Sequence, residues 1–79
     1  GDPMVLDGIE YKFVVTSAND HDYLSLECTQ DNELLIEAVL VSYEEQKADV
    51  IVHKNSLPFS LLKEFTLRVV SEFDRGNDS

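Results

Sequence analysis

Three residue types in this chain could do chemistry at neutral pH. His21 stands between Asp20 and Asp22, and imidazole beside carboxylate can hold a metal ion or move a proton. Ligands so close in one loop seldom all reach a single ion, and no second histidine lies nearby in sequence; a solvated turn accounts for all three residues. His53 ends a strand-like segment and could titrate at an interface, yet a half-exposed strand-terminal histidine explains it equally. Cys28 would be a nucleophile only with an activating base, and its place on the inward-alternating side of a strand makes it a small buried apolar residue. With three glycines and one cysteine there is no phosphate-cradling loop, no cysteine-rich metal spacing and no nucleophile elbow. We therefore read the chain as non-enzymatic, without cofactor or metal.

Charge is more informative. Eleven of the sixteen acidic residues precede Lys47, where Lys12 alone answers them, so the whole formal charge of -10 sits in the first 46 residues. From Lys47 onward five acids (Asp49, Glu64, Glu72, Asp74, Asp78) meet five bases (Lys47, Lys54, Lys63, Arg68, Arg75). A concentrated negative field repels nucleic acid and anionic lipid and speeds encounter with basic protein surfaces. Six scattered bases make no phosphate-binding track. The same carboxylates could instead serve solubility alone.

Size bounds the fold. Gly1, Asp2 and Pro3 read as a cloning remnant ahead of Met4, residues 4–76 as one domain and residues 77–79 as a fraying tail. A domain so small buries only roughly 60 to 65% of its unfolded surface, so one sheet face can go uncovered. An apolar share of 43% is too high for a disordered acidic tail. The lone cysteine, with nothing resembling a secretory signal, suggests a reducing cytoplasm; no apolar run approaches the ~18 residues of a membrane span.

The elements that must position these groups follow from periodicity. Ile9 to Thr16 alternates apolar with polar, Tyr23 to Thr29 alternates again, and a polar loop, Ser17 to Asp22, joins them. Leu34 to Tyr43 is apolar at nearly every position, which suits a buried helix or a central strand. Its branched residues and the short Glu44-Glu45-Gln46-Lys47 connection to strand-like Ala48 to His53 favour a strand. Pro58 suits a first helical turn capped by Ser56 or Leu57. Phe59, Leu62, Phe65, Val69 and Phe73 recur at steps of three and four, Glu64 and Arg68 pair on the opposite side, and Gly76 ends the helix. The expected fold is α+β: a four-stranded antiparallel meander with one C-terminal helix on one face. Its other face then exposes Val14, Leu35, Val39, Val41, Tyr43 and Ile51, which need cover.

The acidic single-domain layout and the strand-loop-helix ending from Val50 through His53, Ser56 and Pro58 to Phe65 resemble those of small bacterial immunity proteins. The resemblance is one of layout, without a motif from which residue roles carry over. It implies neutralisation of a toxin, often a nuclease with a basic cleft. The expected function is therefore an inhibitor occluding a basic surface of a protein partner, through Asp20, Asp22, Glu27, Glu37, Val39, Val41, Tyr43, Glu44, Glu45 and Ile51. A phage-type inhibitor of a host defence nuclease fits the same profile. A homo-oligomeric module pairing through the apolar sheet face, as a homodimer for example, is the other alternative.

Overall fold

Asp7 and Gly8 make the first reversal of the chain, both at positive φ (53° and 78°). A two-residue turn of this kind matches the right-handed twist of flanking strands, and Asp-Gly is among the residue pairs that adopt it most readily. In the computed structural model, which describes residues 3–17 and 23–77, the turn joins Pro3–Leu6 (β1) to Ile9–Thr16 (β2), with Leu6 opposite Ile9. The second tight turn, Asp31-Asn32, also has two positive φ angles and joins Ser25–Gln30 (β3) to Glu33–Ser42 (β4). A longer turn ending in Gln46 at φ 53° leads into Lys47–Val52 (β5). The five strands pair antiparallel in the order β1-β2-β3-β4-β5.

This is the expected α+β meander with one strand more than the alternation indicated. Pro3–Leu6 is too short and too uniformly apolar to show a period, and its strand character comes from the Asp7-Gly8 turn that folds it back on β2. The ambiguous segment is a strand, β4, at the centre of the hydrogen-bonded ladder between β3 and β5.

Phe59–Asn77 (α1) lies across one face of the sheet. Tyr11, Phe13, Leu26, Cys28, Leu35, Ile36, Ala38 and Leu40 are buried with Leu61, Phe65 and Phe73 of the helix. Each large apolar side chain so enclosed contributes roughly 1.5–3 kcal/mol. The contacting ridge is Leu61, Phe65, Val69 and Phe73. Phe59, expected on this side, is 78% exposed, because it precedes Leu61 by two residues, about 200° of helical rotation. Arg68, expected to pair outward with Glu64, instead turns back over the sheet, its guanidinium carbon 4.4 Å from the centroid of Phe13.

Helix entry also falls one residue later than expected. The Pro58 carbonyl accepts from the backbone N–H groups of Leu61 and Leu62 at 3.1 and 3.2 Å, so Pro58 takes the cap position itself. Ser60 Oγ donates to Asp7 Oδ2 at 2.7 Å, bringing a carboxylate from the β1–β2 turn to a first helical turn that has no acid of its own, where the helix dipole favours negative charge. The helix runs through Gly76 to Asn77 rather than stopping at Gly76. Among the described residues no helix is long and apolar enough to cross a membrane.

Two irregularities in β4 set which side chains reach which face. A bulge opposite Cys28/Thr29 leaves Leu35 without a partner on β3, though its carbonyl accepts from the His53 N–H at 2.9 Å, and Leu35 joins Ile36 in the core at 3% exposure instead of pointing to the open face. An extra residue can be turned to the same side as its neighbour in this way, which alternation alone does not reveal. The second irregularity, between Leu40 and Ser42, leaves Val41 unpaired and partly buried.

Candidate protein-binding face

The helix covers one side of the sheet; on the other, Ser25 is buried while Glu27, Thr29, Glu37 and Val39 are partly exposed, and this is the open side. The ladder aligns Val14, Glu27, Glu37 and Ile51 directly across β2, β3, β4 and β5. Phe13, Cys28 and Ile36 beside them in the strands are buried under the helix, and Val50, though half exposed, also lies on the helix side, so strand alternation sends this row to the open side. Glu10, Lys12 and Thr29 continue the face on one side of the row, Val39 and Asp49 on the other. The result is carboxylates on four successive strands, with Val14, Val39 and Ile51 interspersed.

Glu27 and Glu37 are cross-strand partners. Like charges so placed are about 4.5–5.5 Å apart at their Cβ atoms and destabilise the sheet. Both are partly buried, and Glu37 Oε1 lies 3.1 Å from His53 Nε2. Among the described residues no cation reaches Glu27 within ion-pair distance. The sheet thus carries an acidic pair at mid-face that its own residues answer on one side only.

Elsewhere two acids of the first half meet bases of the second. Lys54 Nζ sits 2.7 Å from Glu33 and Lys47 Nζ 3.1 Å from Glu45. Both pairs are exposed, and such pairs are worth ~0–1 kcal/mol. No protein-family model, curated protein or solved structure matches this chain. The site is therefore argued from its own geometry.

Of the residues expected to bind a partner, the fold brings together Glu27, Glu37, Val39 and Ile51. Glu44 and Glu45 stand in the β4–β5 turn, beyond the end of β4 at Ser42, which is itself roughly 17 Å from Glu37 at strand rise. Asp20 and Asp22, with His21, fall outside the described residues. Tyr43 does not belong to the open face: its ring meets Phe73 edge-on at 5.5 Å. Burial, then the nearby Glu72 carboxylate that accepts its hydrogen bond, raise its pKa above the usual tyrosine value. Tyr43 is thereby an anchor for the end of α1.

Glu10 and Asp49 belong to the face and escaped the sequence reading, while Val14 was expected on the open side but not among the partner-binding residues. Alternation places Glu10, Lys12 and Val14 on one side of β2, but only the register reveals which carboxylates become neighbours across strands. The chemically suggestive residues stand elsewhere. Cys28 is fully buried on the helix side, and burial, opposed by Arg68, raises its pKa from 9.0 to about 11, so it is a poor nucleophile at neutral pH. Among the described residues no three His, Cys, Asp or Glu side chains gather as a metal site.

Proposed function

We propose that this chain is a non-enzymatic inhibitory binding protein whose open sheet face occludes a basic surface of a protein partner. The observation that carries this reading is the Glu27–Glu37 pairing, flanked in register by Val14 and Ile51. A folding domain gains nothing from two carboxylates facing each other there. A partner's lysine or arginine docking between them would turn that repulsion into charge-assisted hydrogen bonds, while the flanking branched side chains supply apolar contact. Charged residues steer encounter and fix orientation, and apolar neighbours slow release.

The partner class that fits best is a toxin with a basic cleft, such as a nuclease, which makes immunity the leading version of the role. The balance of the reading is a cytoplasmic protein without cofactor, consistent with a single buried thiol. The test is retention of a basic protein on the immobilised chain at low salt, with loss of that retention in a Glu27→Gln/Glu37→Gln variant that melts no lower than the parent. Equal retention by parent and variant would refute the assignment of the face.

A further inference from the structure

A second surface, apolar in character and on the helix side of the sheet, lies along the edge of β5 and the adjoining flank of α1. The two flanks of the helix differ sharply. The one over β2 and β3 carries Arg68, Ser71, Glu72 and Arg75 beside Phe13 and Leu26. Toward β5, Leu62, Thr66 and Val69 border an apolar groove of about 180 Å³ floored by Val50 and Val52. Val50 and Val52 remain 54% and 50% exposed although they lie on the helix side of the sheet, and Val70 is 50% exposed. A helix with solvent on both sides would be expected to carry polar flanks on both.

β5 is also a sheet edge. The opposite edge, β1, is four residues long and opens with Pro3, devices that discourage pairing with another chain. β5 ends in Val50-Ile51-Val52, without proline, bulge or charge in that stretch, and among the described residues nothing pairs with its outer side.

We propose that this surface joins two copies of the chain in a two-fold dimer, β5 antiparallel to the β5 of the other copy. Three features point to a second copy rather than to a different chain. The surface belongs to the part of the sequence whose acids and bases balance, five against five, so it does not select a charged partner, and the repulsion two copies must overcome comes from the acidic first half. An antiparallel strand edge is self-complementary, as a two-fold contact requires. A two-fold axis normal to the sheet would place both helices on the same side with their apolar flanks facing each other over the four Val50 and Val52 side chains. Strand-edge hydrogen bonds and apolar cover are thus completed by one operation. The seam would run along an ~20 Å strand edge and an ~28 Å helix flank, against the ~800 Å² per partner that a stable interface buries. The acidic faces lie on the other side of the joined sheet and stay free.

Light scattering after size-exclusion chromatography of the full chain, at about 100 µM and about 1 µM, tests this. The expected mass at the higher concentration is twice the 9.0 kDa of one chain. Val50→Lys and Val70→Lys, both at half-exposed positions, should each weaken association at least about tenfold while circular dichroism stays that of the parent. Glu27→Gln/Glu37→Gln should leave the dimer intact. Added salt should strengthen the dimer by screening two chains of charge -10, the opposite of its effect on an acidic face meeting a basic partner. A parent of monomer mass at the higher concentration would overturn the proposal and leave the groove for a different chain. So would a dimer that survives both lysine substitutions and is lost in Val14→Lys, since its seam would be the open face.

Discussion

Glu27 and Glu37 face each other across β3 and β4, on the side of the sheet that the helix leaves open. The nearest compensation is His53 at 3.1 Å from Glu37, and none of the described cations reaches Glu27. Natural domains retain locally unfavourable arrangements where function uses them, and removing such an arrangement stabilises the fold at a cost in activity. We expect Glu27→Gln to raise the stability of the isolated protein by about 0.2–1 kcal/mol while weakening capture of a basic partner. Urea denaturation measures the first effect. A destabilised variant would mean that Glu27 contributes a hydrogen bond to the fold and is not held in a repulsive pair.

Phe65 tests the packing of the helix on the sheet. It is buried in the cluster with Leu61 and Phe73, and Phe65→Ala should destabilise by about 3–5 kcal/mol, a large part of the stability of so small a domain. Phe59→Ala, at an exposed position, should change stability by less than about 0.5 kcal/mol in the monomer. Equal losses at the two positions would contradict the orientation of α1.

Gly8 isolates the cost of the first turn. A Cβ at this position would meet nothing within 4 Å, so steric crowding plays no part. The φ of +78° alone should make Gly8→Ala unfavourable by about 1–2 kcal/mol. Thermal melts of the variant check this, and loss of β1 amide protection in hydrogen exchange should accompany the lower melting temperature.

Much of the fold was legible in the sequence, and the parts that were not have identifiable physical causes. Alternation located β2 and β3 because each has one face in the core and one outside. It located β4 less directly, since bulges at Leu35 and Val41 break the period, and Leu35 was expected on the open face for that reason. β1 escaped because four residues carry no period, although Asp7-Gly8 is the turn signal that would have found it. Of the candidate face, Glu27, Glu37, Val39 and Ile51 were named from sequence. Their adjacency was not, because it depends on a register fixed by the turns and by the bulges. Tyr43 was misplaced because its partner Phe73 is thirty residues away, a contact that local pattern does not contain.

Alkaline pH should expose the buried thiol. In the unfolded chain Cys28 loses its proton near 9.0, and in the folded protein near about 11. Between these values the unfolded state binds fewer protons, so the contribution to stability is fully present below pH 9.0 and is lost as pH rises through about 11. Tyr43, also shifted upward, adds in the same direction. Urea denaturation across this range should show falling stability, and Cys28→Ala should flatten the decline by about 2–3 kcal/mol. An unchanged slope in Cys28→Ala would contradict the enclosure of the thiol.

The central claim, that the open face binds a basic protein surface through its carboxylates, is tested most directly by association kinetics against ionic strength. The parent and a Glu27→Gln/Glu37→Gln/Asp49→Asn variant are compared on a basic protein retained by the immobilised parent at low salt. The parent's association rate should fall steeply with added salt, and the variant should start slower with a flatter dependence. A parent rate indifferent to salt, or a variant that matches the parent in rate and slope, would contradict the account and leave solubility as the explanation of the charge.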